Sequence, residues 1–80
     1  MNPVTTLSYD LPEESHITLS IFDLMGREIL QLVNSAQDEG HKSVQWDATN
    51  SFGEPVSAGI YIYKIQAGEF NETKKMILMK

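Results

Sequence analysis

Cysteine is absent from this chain, and with it go disulfide frameworks, thiolate nucleophiles and Cys-type zinc sites. Exported bacterial proteins often lack cysteine too, so its absence leaves the compartment open. No stretch approaches the ~18–20 apolar residues that a membrane-spanning helix needs, and no N-terminal segment has the pattern of a secretory signal. Cations are scarce: six basic residues stand against eleven acidic ones, for a net charge of −5. That sign repels phosphate backbones and anionic lipid, which argues against nucleic acid as a partner. There is no Gly-rich phosphate loop, and no serine sits in a Gly-x-Ser-x-Gly elbow.

What is present suits one small folded domain over residues 1–80. Hydrophobic residues make up 41% and charged residues 21% of the chain, an ordinary globular balance that argues against disorder. A chain this short buries only ~60–65% of the surface exposed by its unfolded form, so a modest core and marginal stability follow. Met1 runs into Asn2-Pro3, which reads like the middle of a linker. The expectation is therefore a domain excised from a larger protein.

The hydrophobic period is two nearly everywhere. Apolar residues take the odd positions in Leu7-Ser8-Tyr9-Asp10-Leu11, and Ile17, Leu19 and Ile21 share a face. Val44 and Trp46 do the same, and so do Tyr61, Tyr63 and Ile65 in the β-branched and aromatic run from Ile60 to Ala67. Arg27 to Val33 is ambiguous, because Ile29-Leu30 and Leu32-Val33 put apolar groups on both faces. Propensity alone would allow about three helical turns from Arg27 to Gly40, but neighbours of period two favour a strand over residues 27–33. A last strand is expected over Thr73 to Lys80.

Turn chemistry separates these runs. Asp23-Leu24-Met25-Gly26 suits a type I turn, with Asp first and Gly where positive φ is needed. Ala67-Gly68-Glu69-Phe70 has the type II′ signature of a two-residue hairpin loop. Gly53 and Gly59 punctuate the turn-rich stretch after Trp46, and Pro12-Glu13-Glu14 marks another reversal. The fold class expected is all-β, an antiparallel Ig-like sandwich of six to seven short strands. Its core should contain Tyr9, Ile17, Leu19, Ile21, Trp46, Tyr61, Tyr63 and Ile65.

Catalytic chemistry is hard to assemble from these residues. His16 and His41 have no local ligand spacing and read as half-exposed residues at strand starts, so no metal site is expected. Asp23, Asp38 and Asp47 sit at strand ends or loops, where Asx side chains cap a reversing backbone. A glycosidase-like carboxylate pair would need a deeper cleft than this domain can build. Asp47 with Asn50 and Ser51 offers oxygens for a calcium ion, but EF-hand spacing is absent. Trp46, Tyr9, Tyr61 and Tyr63 could be imagined as a sugar-stacking platform, yet their strand faces point to the core. No enzyme and no cofactor are expected.

The segment Lys74-Lys75-Met76-Ile77-Leu78-Met79-Lys80 fits less comfortably. Four consecutive apolar residues leave two large ones facing away from whichever side packs. Flanking lysines act as gatekeepers against edge pairing. Either the strand is central and covered on both faces, or its end is left for a receptor.

Taken in order, a set of motifs spans essentially the whole chain. They are Asn2-Pro3, Tyr9-x-Leu11-Pro12, Ile21-x-Asp23-x-x-Gly26-Arg27-Glu28, Gly40-His41, Trp46-Asp47, Gly53-x-x-Val56, Ala58-Gly59-x-Tyr61-x-Tyr63-x-Ile65 and Lys74-Lys75 before a hydrophobic tail ending at Lys80. This order resembles the type A C-terminal sorting domains of the type IX secretion system. It is also similar to the related Ig-like domain of flagellar hook-capping proteins.

The first resemblance implies a non-catalytic secretion signal behind an N-terminal cargo domain. Its partners would be an outer-membrane shuttle of the translocon and a sortase-like peptidase, and its destination the cell surface or medium by way of the periplasm and outer membrane. It implies cleavage near Met1 to Thr6, turn roles for Gly26, Gly53 and Gly59, and receptor recognition by Lys74, Lys75, Met76, Ile77, Leu78, Met79 and Lys80. A natural stop at Lys80 would suit it. The second resemblance implies an internal module of a rod-assembly scaffold with homo-oligomeric contacts. A carbohydrate-binding accessory module, the third alternative, would need exposed aromatics. A weak homodimer, or a swapped final strand, is compatible with a sticky end strand.

Overall fold

The computed structural model describes residues 4–79; expectations that fall on Met1, Asn2, Pro3 and Lys80 lie outside the described residues. Six strands follow in order: β1 (Thr5–Leu11), β2 (Ser15–Asp23), β3 (Glu28–Gln37), β4 (Gly40–Trp46), β5 (Gly59–Ala67) and β6 (Phe70–Leu78). They form two antiparallel sheets, one of β1–β4 and one ordered β3–β2–β5–β6. The fold is thus an all-β, Ig-like sandwich with six strands, and no described residue is helical.

Period-two patterning sets the inner faces. Leu7, Tyr9 and Leu11 of β1 and Trp46 of β4 meet Ile17, Leu19 and Ile21 of β2 and Tyr61, Tyr63, Ile65 and Ala67 of β5 in one buried cluster. Each fully buried Leu or Ile there is worth ~1.5–3 kcal/mol over leaving it exposed. The Trp46 and Tyr61 rings pack edge to face with centroids 5.4 Å apart, a geometry favoured by the ring quadrupoles. Every buried aromatic also finds a partner for its polar atom. Trp46 Nε1 donates to the Thr49 carbonyl, Tyr9 Oη to Gln37 Oε1, Tyr61 Oη to the Ser57 carbonyl and Tyr63 Oη to the Ser8 carbonyl.

The ambiguous segment is a strand, and two β-bulges explain its pattern. Leu19 pairs with Val33 but Ser20 pairs with Gln31, which leaves Leu32 without an opposite residue. Ile21 pairs with Leu30 but Phe22 with Glu28, so Ile29 is likewise extra. A bulge lets two successive side chains lean toward one face, and Ile29, Leu30, Leu32 and Val33 all pack against the core. β3 also runs past Val33 to Gln37, because Asn34, Ser35, Ala36 and Gln37 continue the ladder with β2. Their polarity disguised a strand that lies at a sheet edge, where polar residues are favoured.

Two hairpins stay within the larger sheet. In the β2–β3 turn the Gly26 N–H donates to the Asp23 carbonyl at 3.0 Å with Gly26 at φ 84°. In the β5–β6 turn Gly68 has φ 63° while Glu69 keeps negative φ, the mark of type II′ rather than I′. The other three connections cross between the sheets, through 12–14, 38–39 and 47–58.

Candidate interaction surface

The residues considered for chemistry are occupied with local structure. His16 on β2 shares a hydrogen bond with Asn34 Oδ1, and His41 on β4 contacts Asp10 Oδ1, each at 2.6 Å. The two histidines thus lie in different sheets. No group of three or more metal-ligating side chains comes together among the described residues. Asp47 Oδ1 accepts from Thr49 Oγ1, and Asn50 Oδ1 accepts from the N–H groups of Phe52 and Glu54. These oxygens brace the 47–56 loop instead of converging on a cation. Asp38 is exposed in the short β3–β4 link. Trp46, Tyr9, Tyr61 and Tyr63 are buried, so their ring faces cannot serve as a sugar platform, and the carbohydrate-binding alternative loses its physical basis.

The tail divides by face. β6 lies at an edge of the larger sheet beside β5, so it is not a central strand covered on both sides. Leu78 is buried and Met76 packs against the core. Lys74 leans the same way: its Nζ donates to the Ser8 carbonyl of β1 at 3.3 Å and pairs with Glu72 Oε1 at 3.3 Å. Lys74 therefore ties β6 to the smaller sheet. Only Lys75, Ile77 and Met79 of the described tail are displayed to solvent; Lys80 lies outside the described residues.

The register places these residues on a patterned outer face of the larger sheet. Reading across β3–β2–β5–β6, Asn34–Thr18–Gln66–Asn71 and Gln31–Ser20–Lys64–Thr73 are polar rows. The next row, Glu28–Phe22–Ile62–Lys75, has an apolar centre between opposite charges. Beyond it Ile60 lies beside Ile77. The face changes from polar to apolar halfway along.

The apolar half ends at two braced turns. In the first, Asp23 Oδ1 accepts from the N–H groups of Met25 and Arg27, and Asp23 Oδ2 accepts from Arg27 Nε at 2.8 Å. The Arg27 N–H is the main reason that Asp23 titrates below its ordinary value, and the Arg27 side chain and Met25 N–H add to it against an opposing desolvation. Leu24 and Met25 project from this turn, Met25 with 81% of its surface exposed. In the second turn the Ser51 N–H donates to the Ile29 carbonyl, and Phe52 stands 84% exposed. An open groove of about 360 Å³ lies beside the first turn, lined in part by Leu24, Met25, Ile29, Val56 and Ile60. Its charged lining residues, Asp23 and Arg27, are already paired with each other. Sequence reasoning passed over Leu24, Met25 and Phe52 because they sit in turns. Large apolar residues at turn tips, where polar ones would be cheaper to solvate, were the available signal.

Gly26, Gly53, Gly59 and Gly68 all hold positive φ. Gly40 and the buried Ala48 do so as well, and Ala48 carried no signal in the sequence.

Comparison with known proteins bears on what such a surface is for. Residues 3–69 match the family model described as the FlgD Ig-like domain. The crystal structure of FlgD from P. aeruginosa has a similar fold, with a TM-score of 0.77 at 22% identity. The likeness covers 94% of this chain and 59% of that one, so the chain spans about three fifths of that protein's length. No curated protein matches the chain. The family match overturns the type IX sorting reading, since it falls on the hook-capping side of the two resemblances, and the similar solved structure agrees in fold. The physical reason is that the shared motifs build the sandwich. Asp23 and Gly26 specify a turn and Trp46 fills the core, and none of them carries information about export. The shuttle, the peptidase and the surface destination were implications of that resemblance and lose their support with it.

Proposed function

Because the chain belongs to the FlgD Ig-like domain family, whose members are structural and non-catalytic, we propose that it is a packing module of a hook-capping type of scaffold protein. The family match over residues 3–69 carries this reading. The physical character of the surface supports it. His16, Asp23, His41 and Asp47 spend their side-chain hydrogen bonds on turns and strand pairing. The feature without an internal use is the apolar half-face with its rigid turn tips. Contiguous exposed apolar surface on a small soluble domain marks a protein contact, and a net charge of −5 favours protein over nucleic acid as the partner.

Deleting residues 1–80 in frame from the parent gene tests this in the source bacterium. Hooks counted and measured by electron microscopy should be missing or irregular in length while the rest of the protein is still made. Hooks of normal number and length, with normal swimming, would show that the domain has no scaffold role.

A further inference from the structure

We propose that the apolar half-face of the larger sheet packs against the same face of a second copy, about a two-fold axis parallel to the strands and passing between β2 and β5. The inference rests on the scaffold reading and names the surface through which copies meet.

The charge pattern selects both the occupant and the axis. The row Glu28–Phe22–Ile62–Lys75 places a carboxylate at the β3 edge, an ammonium at the β6 edge and two apolar residues between them. A two-fold axis along the strands exchanges the edges, so Glu28 lies over Lys75 of the second copy and Lys75 over its Glu28. Phe22 and Ile62 then cover one another. An axis running across the strands would instead set Glu28 over Glu28 and Lys75 over Lys75, which like charges disfavour. Neither Glu28 nor Lys75 has an ion-pair partner among the described residues, so both charges are free to pair across such a contact.

The adjoining row adds the rest of the apolar contact. Ile60 and Ile77 stand side by side, and the exchange of edges brings Leu24 and Met25 of the second copy's braced turn over Ile60. Both turns are held in shape by Asx hydrogen bonds before any contact, which lowers the ordering cost of association. The polar rows above, from Gln31 to Thr73 and from Asn34 to Asn71, bound the contact to half the sheet. A contact of half a sheet face belongs with small, weak interfaces, below about 1,200 Å², so association is expected only at high protein concentration.

Sedimentation equilibrium of the 80-residue chain from about 10 µM to 1 mM reads the association directly. Lys75→Glu and Glu28→Lys should each weaken it by about tenfold or more, since each creates two like-charge pairs per dimer. The double swap should restore it. Ile77→Ser should weaken it without changing the thermal midpoint, because that side chain is exposed. A chain that stays monomeric to 1 mM overturns the proposal, and so does a double swap no tighter than its parents. A monomeric chain whose deletion still abolishes hooks would refute the dimer face alone and leave the scaffold reading standing.

Discussion

At the residue scale, Asp23 shows how one side chain organises a turn. Its carboxylate collects two backbone N–H groups and the Arg27 guanidinium, so its pKa in the folded state lies below the ordinary 3.8. The unfolded chain therefore binds this proton more readily than the folded one. The stabilisation is present above pH 3.8 and is lost as pH falls through the lower folded value. Asp23→Asn should flatten that acid limb in thermal melts below pH 4 while leaving the neutral-pH fold intact. Tyr9 moves the other way, since burial raises its pKa above the ordinary 10.0 and the hydrogen bond with Gln37 only partly offsets this. Its contribution should disappear at high pH, as the unfolded phenol ionises first. Gly26 gives a purely backbone test. A Cβ built there meets nothing within 4 Å, yet φ is +84°, so Gly26→Ala should cost about 1–2 kcal/mol in denaturant titrations through conformation alone.

At the scale of elements, β3 and β6 are the two edges of the larger sheet, and each is managed differently. β3 carries two bulges and a polar second half, which break the regular ladder that another strand would need. β6 is anchored through its own side chains, with Leu78 in the core and Lys74 reaching the Ser8 carbonyl across the sandwich. Neighbouring lysines should therefore behave unlike one another. Lys74→Ala should cost ~0.5–1.5 kcal/mol for the lost inter-sheet hydrogen bond, with its half-exposed pair to Glu72 contributing little of it. Lys75→Ala, whose side chain is exposed, should leave the denaturation midpoint nearly unchanged. Equal effects at both positions would contradict the placement of β6.

At the scale of the whole molecule, stability rests on a core small enough that one residue matters greatly. Trp46 is fully buried, packs against Tyr61 and donates to the Thr49 carbonyl. Trp46→Phe leaves that carbonyl short of a partner and opens a cavity, at a cost of about 2–4 kcal/mol. For a domain of this size that lowers the melting temperature by roughly 10–25 °C. The same burial predicts that oligosaccharides leave Trp46 fluorescence unchanged. The proposed packing role belongs to this scale too, because it rests on a whole face and not on one side chain. What the fold presents is a half-face of defined pattern and two rigid turns.

Much of this architecture was legible because β-strands announce themselves by a period of two. The faces of β1, β2, β4 and β5 follow from alternation, and the hairpin turns follow from Asp23 with Gly26 and from Gly68, where local sterics leave few choices. The two bulges of β3 could not be read, since Ile29 and Leu32 are extra only relative to the partner strand. Nor could the strand order, which sets Glu28 and Lys75 at opposite ends of one row although they are distant in sequence. The division of the tail into an inward Lys74 and an outward Lys75 depends on the position of Ser8, a contact across the sandwich. Turn and core motifs identified the fold and were silent on its use, because the same residues build any sandwich of this kind. Local patterning thus determined the strands, their turns and their buried faces. Which residues share the exposed face was decided only by non-local pairing, since neighbours across a sheet are set by register and not by distance along the chain.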